Sequence, residues 1–349
     1  MKYNLKYFSA AIAAAICSLT AGSAAAEDSK YPEMTLRLAH FFSAAAVQSK
    51  IDDWWANEIH KRSGGKIKVE IFWAESLGKA GEILDLVGSG AVELGATAPG
   101  YFPSQLPLSG AMNALPLVFK SNKQAQIITT KLGDLEEIKE EYKKNRVWPL
   151  FYHSINNFHV LCTRPVKTLK DFEGLKIRSY GEYVPRLWQA LGATPVNALT
   201  PELYEGLQRG RLDCAYFPNE LNAGLKLYEV AKYQSSADFG AIPTWPIYVN
   251  YDLFWNKWTP EVRELIMQVS KDASERDIEM VAEAGRTAIA GAQEKQGVQL
   301  LPFEEQAELE ARAPNFLDLW LEVEGGRGKQ EAAQTIVTEW RRLLDEVAP

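Results

Sequence analysis

Apolar and polar positions recur with two different periods along this chain, and the switches between them lay out its elements. Residues 66–72 alternate strictly. Ile67, Val69 and Ile71 fall on one face of an extended chain and Lys66, Lys68 and Glu70 on the other, which predicts a half-buried strand. Just upstream the period lengthens. Ile51, Trp54, Trp55 and Ile59 line one face of a helix over residues 48–62, stopped by Gly64-Gly65, and both tryptophans are expected in the core. An apolar strand over 35–39 precedes it and turns at His40-Phe41-Phe42-Ser43. A short helix over 81–87 ends at Gly88-Ser89-Gly90 and leads into a strand over 93–97, left through Pro99-Gly100-Tyr101.

The alternation continues through the middle of the chain. Ser121, followed three residues later by Gln124, reads as a capping box. Strands are expected over 147–152, 158–163, 175–178 and 212–217, with a helix over 185–191. Thr200 reads as the cap of another helix, with Pro201 in its first position and Gly210 at its end. Thr259-Pro260 opens a long helix to about residue 296, and the tail over 304–347 is helical with a break at Gly325-Gly326-Arg327-Gly328. Strand alternating with helix predicts an α/β protein with mostly parallel sheets covered on both faces. No repeat or low-complexity linker separates the halves, so several crossing segments are expected to join two sheets.

Length and charge sharpen this picture. A chain of 349 residues suits two domains. Lys2 and Lys6, an apolar run over 8–19, and Ala24-Ala25-Ala26 before Glu27-Asp28 predict a secretory leader cut after Ala26, hence a periplasmic protein. Ile16 before Cys17 does not suit a lipoprotein. No later segment is apolar for long enough to span a bilayer, so the mature protein is not expected to be membrane-spanning. The net charge of −7 becomes about −9 once the two leader lysines are gone, which argues against a nucleic-acid partner. Cys162 and Cys214 remain; an oxidising compartment permits a bridge, and two buried thiols are the alternative.

The common catalytic patterns are missing. His40, His60, His153 and His159 form no zinc spacing, there is no C-x-x-C or G-x-S-x-G, and no glycine-rich loop opens a helix after a strand. No cofactor or metal is implied. Aromatic residues are the unusual feature: Phe41, Phe42, Tyr101, Phe158, Tyr216 and Phe217 all sit at ends of expected strands. In open α/β sheets ligands bind at the carboxyl ends of strands, in clefts lined by aromatics and a few polar groups.

Three ordered stretches carry a family resemblance. Gly174-Leu175-Lys176-Ile177-Arg178 is followed by Leu191-Gly192-Ala193-Thr194-Pro195-Val196 and then by the run from Glu202 to Asp213. Ser63-Gly64-Gly65-Lys66-Ile67, Ser76-Leu77-Gly78 and residues 113–119 extend the likeness upstream. In order and spacing the chain resembles the periplasmic solute receptors of tripartite ATP-independent (TRAP) transporters, of the dicarboxylate-receptor type. The resemblance implies a two-domain clamp of the periplasmic-binding-protein kind, type II-like, with two mixed sheets flanked by helices, crossing strands and a long connecting helix. Lobe I is expected from 27–155 plus 243–282, and lobe II with the C-terminal helices from 156–242 plus 283–349. It also implies a receptor rather than an enzyme, with membrane permease subunits as partners. Arg178 is implied as the carboxylate anchor, and a guanidinium fork matches a carboxylate in two bonds.

Departures from the family pattern bear on the ligand. Asn157 and Phe158 stand where many members carry a second arginine. Tyr216-Phe217, then Pro218 and Asn219, stand where many carry Glu-Asn, and Cys214 replaces a glycine. A small monocarboxylate with an apolar or aromatic body is therefore expected over a dicarboxylate, and a sulfonate is compatible. Phe41, Tyr101, Trp245 and Glu75 complete the candidate site. The competing readings are an exported enzyme using Glu182 or Glu220 beside Arg178, and a ligand sensor with the same pocket.

Overall fold

The computed structural model describes residues 30–242 and 245–349; the expected leader with its cleavage point at Ala26, and Pro243-Thr244 before Trp245, lie outside them. Two sheets carry the fold. The first contains β1 (Met34–His40), β2 (Ile67–Phe72), β3 (Leu94–Ala96), β4 (Val147–Tyr152) and β10 (Pro246–Asn250), in the order β2-β1-β3-β10-β4. The second contains β5 (His159–Cys162), β6 (Lys176–Ser179), β7 (Thr194–Asn197), β8 (Cys214–Phe217), β9 (Tyr233–Ser235) and β11 (Gln299–Leu301), in the order β11-β9-β5-β8-β6-β7. Helices α1 (Val47–Arg62), α2 (Ile83–Ser89), α3 (Asn122–Leu132) and α4 (Glu136–Lys144) precede β4; α5 (Val184–Ala190), α6 (Leu203–Gln208) and α7 (Asn219–Gly224) are interleaved with the second sheet. After β10 comes α8 (Pro260–Gln296), then α9 (Gln306–Arg312), α10 (Phe316–Glu324) and α11 (Gln330–Glu346). Tyr31–Pro349 forms one compact unit.

Both sheets are mixed, as the family resemblance implies and unlike the mostly parallel sheets expected from alternation alone. The reason is connectivity. β1, β2 and β3 are parallel, but β10 runs antiparallel to β3 and β4, and β5 runs antiparallel to β8 and β9. A chain leaving β4 at its carboxyl end crosses residues 153–158 and enters the second sheet beside Phe217, at the carboxyl end of β8. The chain returns through residues 236–242 and Trp245, which precedes β10. The two crossings run side by side, with the Phe158 N–H donating to Gly240 O (2.9 Å), the Phe239 N–H donating to Phe158 O (3.0 Å) and the His153 N–H donating to Trp245 O (3.2 Å). Any strand that arrives by such a crossing runs against its neighbours.

Local physics explains most element boundaries. The alternating strand appears as β2, and α8 runs unbroken for 37 residues from the Thr259 cap, whose hydroxyl accepts from the Val262 N–H (3.4 Å). Ser121 accepts from the Gln124 N–H (3.1 Å), but the Gln124 side chain reaches back to the Lys120 N–H (2.8 Å) rather than to its cap. Trp55 is fully buried and donates to Ser270 Oγ on α8 (3.0 Å), whereas Trp54, expected in the core, is half-buried beneath the Arg276 guanidinium. Cys162 and Cys214 are opposite residues of β5 and β8 and form a disulfide, which decides between the two alternatives.

Candidate functional site

Five strands point their carboxyl ends, or the turns just after them, at one small cavity. Phe41 and Phe42 follow β1, Ala98 and Tyr101 follow β3, Arg178 and Tyr180 end β6, Thr200 follows β7, and Phe217 ends β8. The crossings add Ile155, Phe158 and Trp245, while Asn113 and Leu221 complete the wall. Arg178 is the only formally charged residue among these thirteen.

The Arg178 side chain is 2% exposed, yet no carboxylate meets it among the described residues. Its Nε donates to Ala198 O (3.2 Å), Nη1 to Tyr216 O (3.2 Å), and Nη2 to both Tyr101 Oη and Thr200 Oγ1 (3.3 Å each). Every partner is a neutral oxygen, and every bond is longer than the roughly 2.7–2.9 Å of a charge-assisted pair. The guanidinium also lies over the rings of Tyr180 (4.2 Å) and Phe217 (5.3 Å). A buried charge served only by neutral dipoles carries an uncompensated desolvation cost, and an incoming anion relieves it.

The opposite wall is backed by a buried ionic chain. Asp52 on α1 accepts from His40 Nε2 and His153 Nε2, and His153 Nδ1 faces Asp277 on α8, each at 2.9 Å. Burial disfavours a charge on His153, but the two flanking carboxylates outweigh it and raise its pKa to about 10. Burial likewise opposes the Asp52 charge, and the facing imidazoles overcome it and hold this carboxyl well below its usual range. His40 Nδ1 accepts from the Phe42 N–H (3.0 Å), which fixes the turn that carries Phe41 and Phe42. Their rings close against Trp245 at 4.9 and 4.6 Å, and Trp245 rests on His153 at 5.0 Å. The ionic chain thus sets an aromatic wall and does not itself line the cavity.

Six of the ten candidate residues line this cavity: Arg178, Phe41, Tyr101, Phe158, Phe217 and Trp245. The other four do not. Tyr216 alternates with Phe217 along β8, so its ring points into the second sheet's core against Trp188 and Phe239, and only its carbonyl reaches Arg178. Asn157 turns away to Asp238 (2.8 and 3.0 Å). Asn219 accepts from Tyr228 Oη. Glu75 caps the Ala80 N–H (2.7 Å) and borders a separate surface cleft with Arg209 and Arg211. Glu182 pairs with Arg186 and Arg327, and Glu220 binds Asn156, so neither carboxylate faces Arg178's cavity.

Sequence reasoning missed Thr200, Tyr180 and Asn113. Thr200 was expected to cap a helix. Instead Glu202 Oε2 takes the Leu199 N–H (2.7 Å), and the Thr200 hydroxyl is spent on Tyr101 (2.7 Å) and Arg178. Its place after Leu-Gly-Ala-x-Pro, at the end of a strand beside β6, is the signal that could have found it. A larger groove lies between α3, β4 and α8, but its charged residues, Lys131, Asp134, Lys271 and Glu275, are all exposed.

Two sheets bridged by crossing segments, with one buried cation where their strand ends meet, define a solute-binding receptor of the two-lobed clamp class. Among the described residues no helix is long and apolar enough to cross a membrane. Residues 38–320 match the model of bacterial extracellular solute-binding protein family 7 (DctP), and the chain belongs to that family, whose members are receptors of TRAP transporters and not enzymes. The chain is 24% identical to the 2,3-diketo-L-gulonate-binding periplasmic protein YiaO of Escherichia coli over 286 residues, 80% of this chain and 85% of that one. Its fold matches a TRAP periplasmic solute-binding protein of Bradyrhizobium sp. in complex with galacturonate, with TM-score 0.78, 20% identity, and 89% of this chain and 100% of that one covered. It also matches DctP7 of Bordetella pertussis, an extracytoplasmic solute receptor binding pyroglutamic acid, with TM-score 0.76, 17% identity and coverage of 88% and 99%.

Proposed function

We propose that this receptor binds a compact organic monoanion, a monocarboxylate with a flat or apolar body, and delivers it to a membrane permease of the TRAP kind. The observation that carries the reading is Arg178, buried and served only by neutral oxygens. One guanidinium balances one acidic head group. A second carboxylate would meet no second cation among the lining residues, so a dicarboxylate is disfavoured. Seven of the thirteen lining residues, Phe41, Phe42, Tyr101, Phe158, Tyr180, Phe217 and Trp245, are aromatic, which rewards a ring or an apolar face over a body studded with hydroxyls. The family relatives support the acid class: galacturonate and pyroglutamate each carry one carboxylate. The periplasm is the compartment this role requires, and the lobes, taken as 27–155 plus 243–282 and 156–242 plus 283–349, are the bodies that close on the ligand.

The test uses protein freed of co-purified ligand by unfolding and refolding. Melting temperature is followed against pyroglutamate, phenylacetate, benzoate, galacturonate, succinate and taurine. A specific ligand at a hundred times its dissociation constant adds about 2.7 kcal/mol of stability, a clear shift. The expected result is a rise with pyroglutamate, phenylacetate or benzoate that exceeds the rise with succinate or with the hydroxyl-rich galacturonate. A panel without any rise overturns the acid reading, and succinate as the strongest ligand overturns the monoanion.

A further inference from the structure

The polar groups lining the cavity are largely spent on one another. The Tyr101 and Thr200 hydroxyls meet at 2.7 Å and both accept from Arg178 Nη2, Tyr180 Oη donates to Asn113 O (3.2 Å), and Asn113 Oδ1 accepts from the Gly100 N–H (3.0 Å). Trp245 is different. It is 1% exposed, and its Nε1 is the one buried polar side-chain atom of the thirteen lining residues with no hydrogen-bond partner among the described residues. An indole N–H can only donate, and a buried donor without an acceptor carries a desolvation cost. The ring that holds it is fixed from several sides. Phe42 stacks on it at 4.6 Å and Phe41 meets it at 4.9 Å with the rings nearly perpendicular. The Trp245 carbonyl accepts from the His153 N–H (3.2 Å), and the His153 ring, itself held between Asp52 and Asp277, lies 5.0 Å from the indole.

Resting on the reading of Arg178 as the acid's anchor, we propose that the Trp245 indole N–H is the second polar contact of the same site, and that the ligand is a monocarboxylate whose body carries a neutral hydrogen-bond acceptor, a carbonyl or ether oxygen. The two contacts come from different sheets, Arg178 from β6 of the second and Trp245 from the residue before β10 of the first. An acid held at Arg178 therefore presents the rest of its body to the wall that carries Trp245. A second carboxylate would find only one neutral donor there, too little to offset a buried charge. A hydroxyl would bring a proton that the donor-only indole cannot accept. A carbonyl or ether oxygen offers lone pairs alone and matches it. An acid of the same shape without that oxygen leaves the indole unpaired. Trp245 is thus a specificity-determining residue: Arg178 selects for an acid, and Trp245 selects among acids.

The test compares acids of matched shape. Refolded, ligand-stripped protein, wild type and Trp245→Phe, is titrated calorimetrically with pyroglutamate against cyclopentanecarboxylate, phenoxyacetate against 3-phenylpropanoate, and levulinate against 4-methylpentanoate. Only the first member of each pair carries a neutral acceptor oxygen beyond its carboxylate. The wild type is expected to prefer that member about tenfold in at least one pair, the worth of one net hydrogen bond, and Trp245→Phe to bind both members alike. Indole nitrogen-15 spectra give a second readout. Trp245 is the only tryptophan among the lining residues, so one indole signal, absent from Trp245→Phe, should move downfield with pyroglutamate and also with 2-pyrrolidinone, which has the acceptor and no carboxylate. Acids that bind without preference in any pair overturn the indole contact and leave the acid reading standing. A preference that survives Trp245→Phe, or that comes with no indole signal moved, does the same. If no acid binds but 2-pyrrolidinone moves the Trp245 signal, the acid reading falls and the contact stands; if neither happens, both fall. Should circular dichroism show that Trp245→Phe has not folded, the wild-type preferences and the number of indole signals that move decide by the same criteria.

Discussion

At the scale of single residues, Arg178 is a buried cation that meets no carboxylate among the described residues. Arg178 gives up hydration for four bonds to neutral oxygens, all between 3.2 and 3.3 Å. Replacing a buried charge by an apolar side chain of similar length removes a desolvation cost, so Arg178→Met is expected to melt at the wild-type temperature or above it. The same variant should lose ligand affinity by about 2–5 kcal/mol, the usual consequence of deleting one partner of a buried charged pair. Calorimetric titration with whichever acid the panel selects, alongside thermal melts, checks both halves. A variant that is destabilised yet binds normally would place the ligand elsewhere. Arg178 was singled out in the sequence by the family resemblance of Gly-Leu-Lys-Ile-Arg, since an arginine after a strand would otherwise read as a surface ion pair; the fold buries it instead. Thr200 was not singled out, since Thr-Pro before an acidic residue reads equally well as a helix start, and only the folded chain shows Glu202 doing the capping. Tyr216 failed for a different reason: a one-residue step along a strand reverses the face, and sequence alone did not say which of Tyr216 and Phe217 looked into the cavity.

At the scale of elements, long periodic segments were readable, and so were the short strands β3, β5, β6 and β8 through their apolar runs, but other short strands were not. α1, β2 and α8 carry their own pattern. β7, β9, β10 and β11 have between three and five residues each, too few to show a period, and they become strands by pairing with neighbours brought from elsewhere in the chain. The mixed character of both sheets is hidden for the same reason, because strand direction follows from where the crossings enter. The disulfide belongs to this scale too. It joins opposite residues in the middle of the second sheet and closes a loop with a sequence separation of 52 residues. Loop-closure entropy assigns such a link about 4 kcal/mol. Replacing both cysteines by alanine should therefore lower the urea midpoint substantially while leaving the ligand-induced melting shift in place, since neither cysteine lines the cavity. Equal midpoints for the two proteins would show that the sheet needs no staple.

At the scale of the whole molecule, the crossing segment over residues 153–157 is held by buried carboxylates from three helices, Asp52 on α1 among them, and this makes stability a function of pH with a definite sign. Asp277 on α8 takes His153 Nδ1, and Glu220 on α7 takes the Asn156 N–H (3.1 Å) and Nδ2 (2.9 Å). His153 has a native pKa raised from 6.5 to about 10, so its contribution is complete below pH 6.5 and drains away as the pH climbs toward 10. Glu220 is pushed from 4.5 up to about 7, by burial first, with the Asn156 bonds only partly offsetting it. The protonated form is the one the native state favours, so its contribution is present below pH 4.5 and is lost as the pH rises through 7. Asp52 runs the other way: lowered from 3.8 to about 2, it stabilises above pH 3.8 and fails below it. All three contributions are complete together only between about pH 3.8 and pH 4.5, and the Glu220 contribution drains away between there and pH 7. Melting temperature is therefore expected to peak in that acidic range and to fall steadily toward pH 9, on the alkaline side of neutrality where most globular proteins are still near their plateau. Glu220→Gln, which keeps the shape and the acceptor toward Asn156, should flatten the slope between pH 5 and 7 while leaving the steeper decline above pH 7 that His153 governs. A melting profile that rises from pH 5 to pH 8 would mean that His153 does not carry its charge between Asp52 and Asp277, and the wall that aligns Phe41, Phe42 and Trp245 would then need another support.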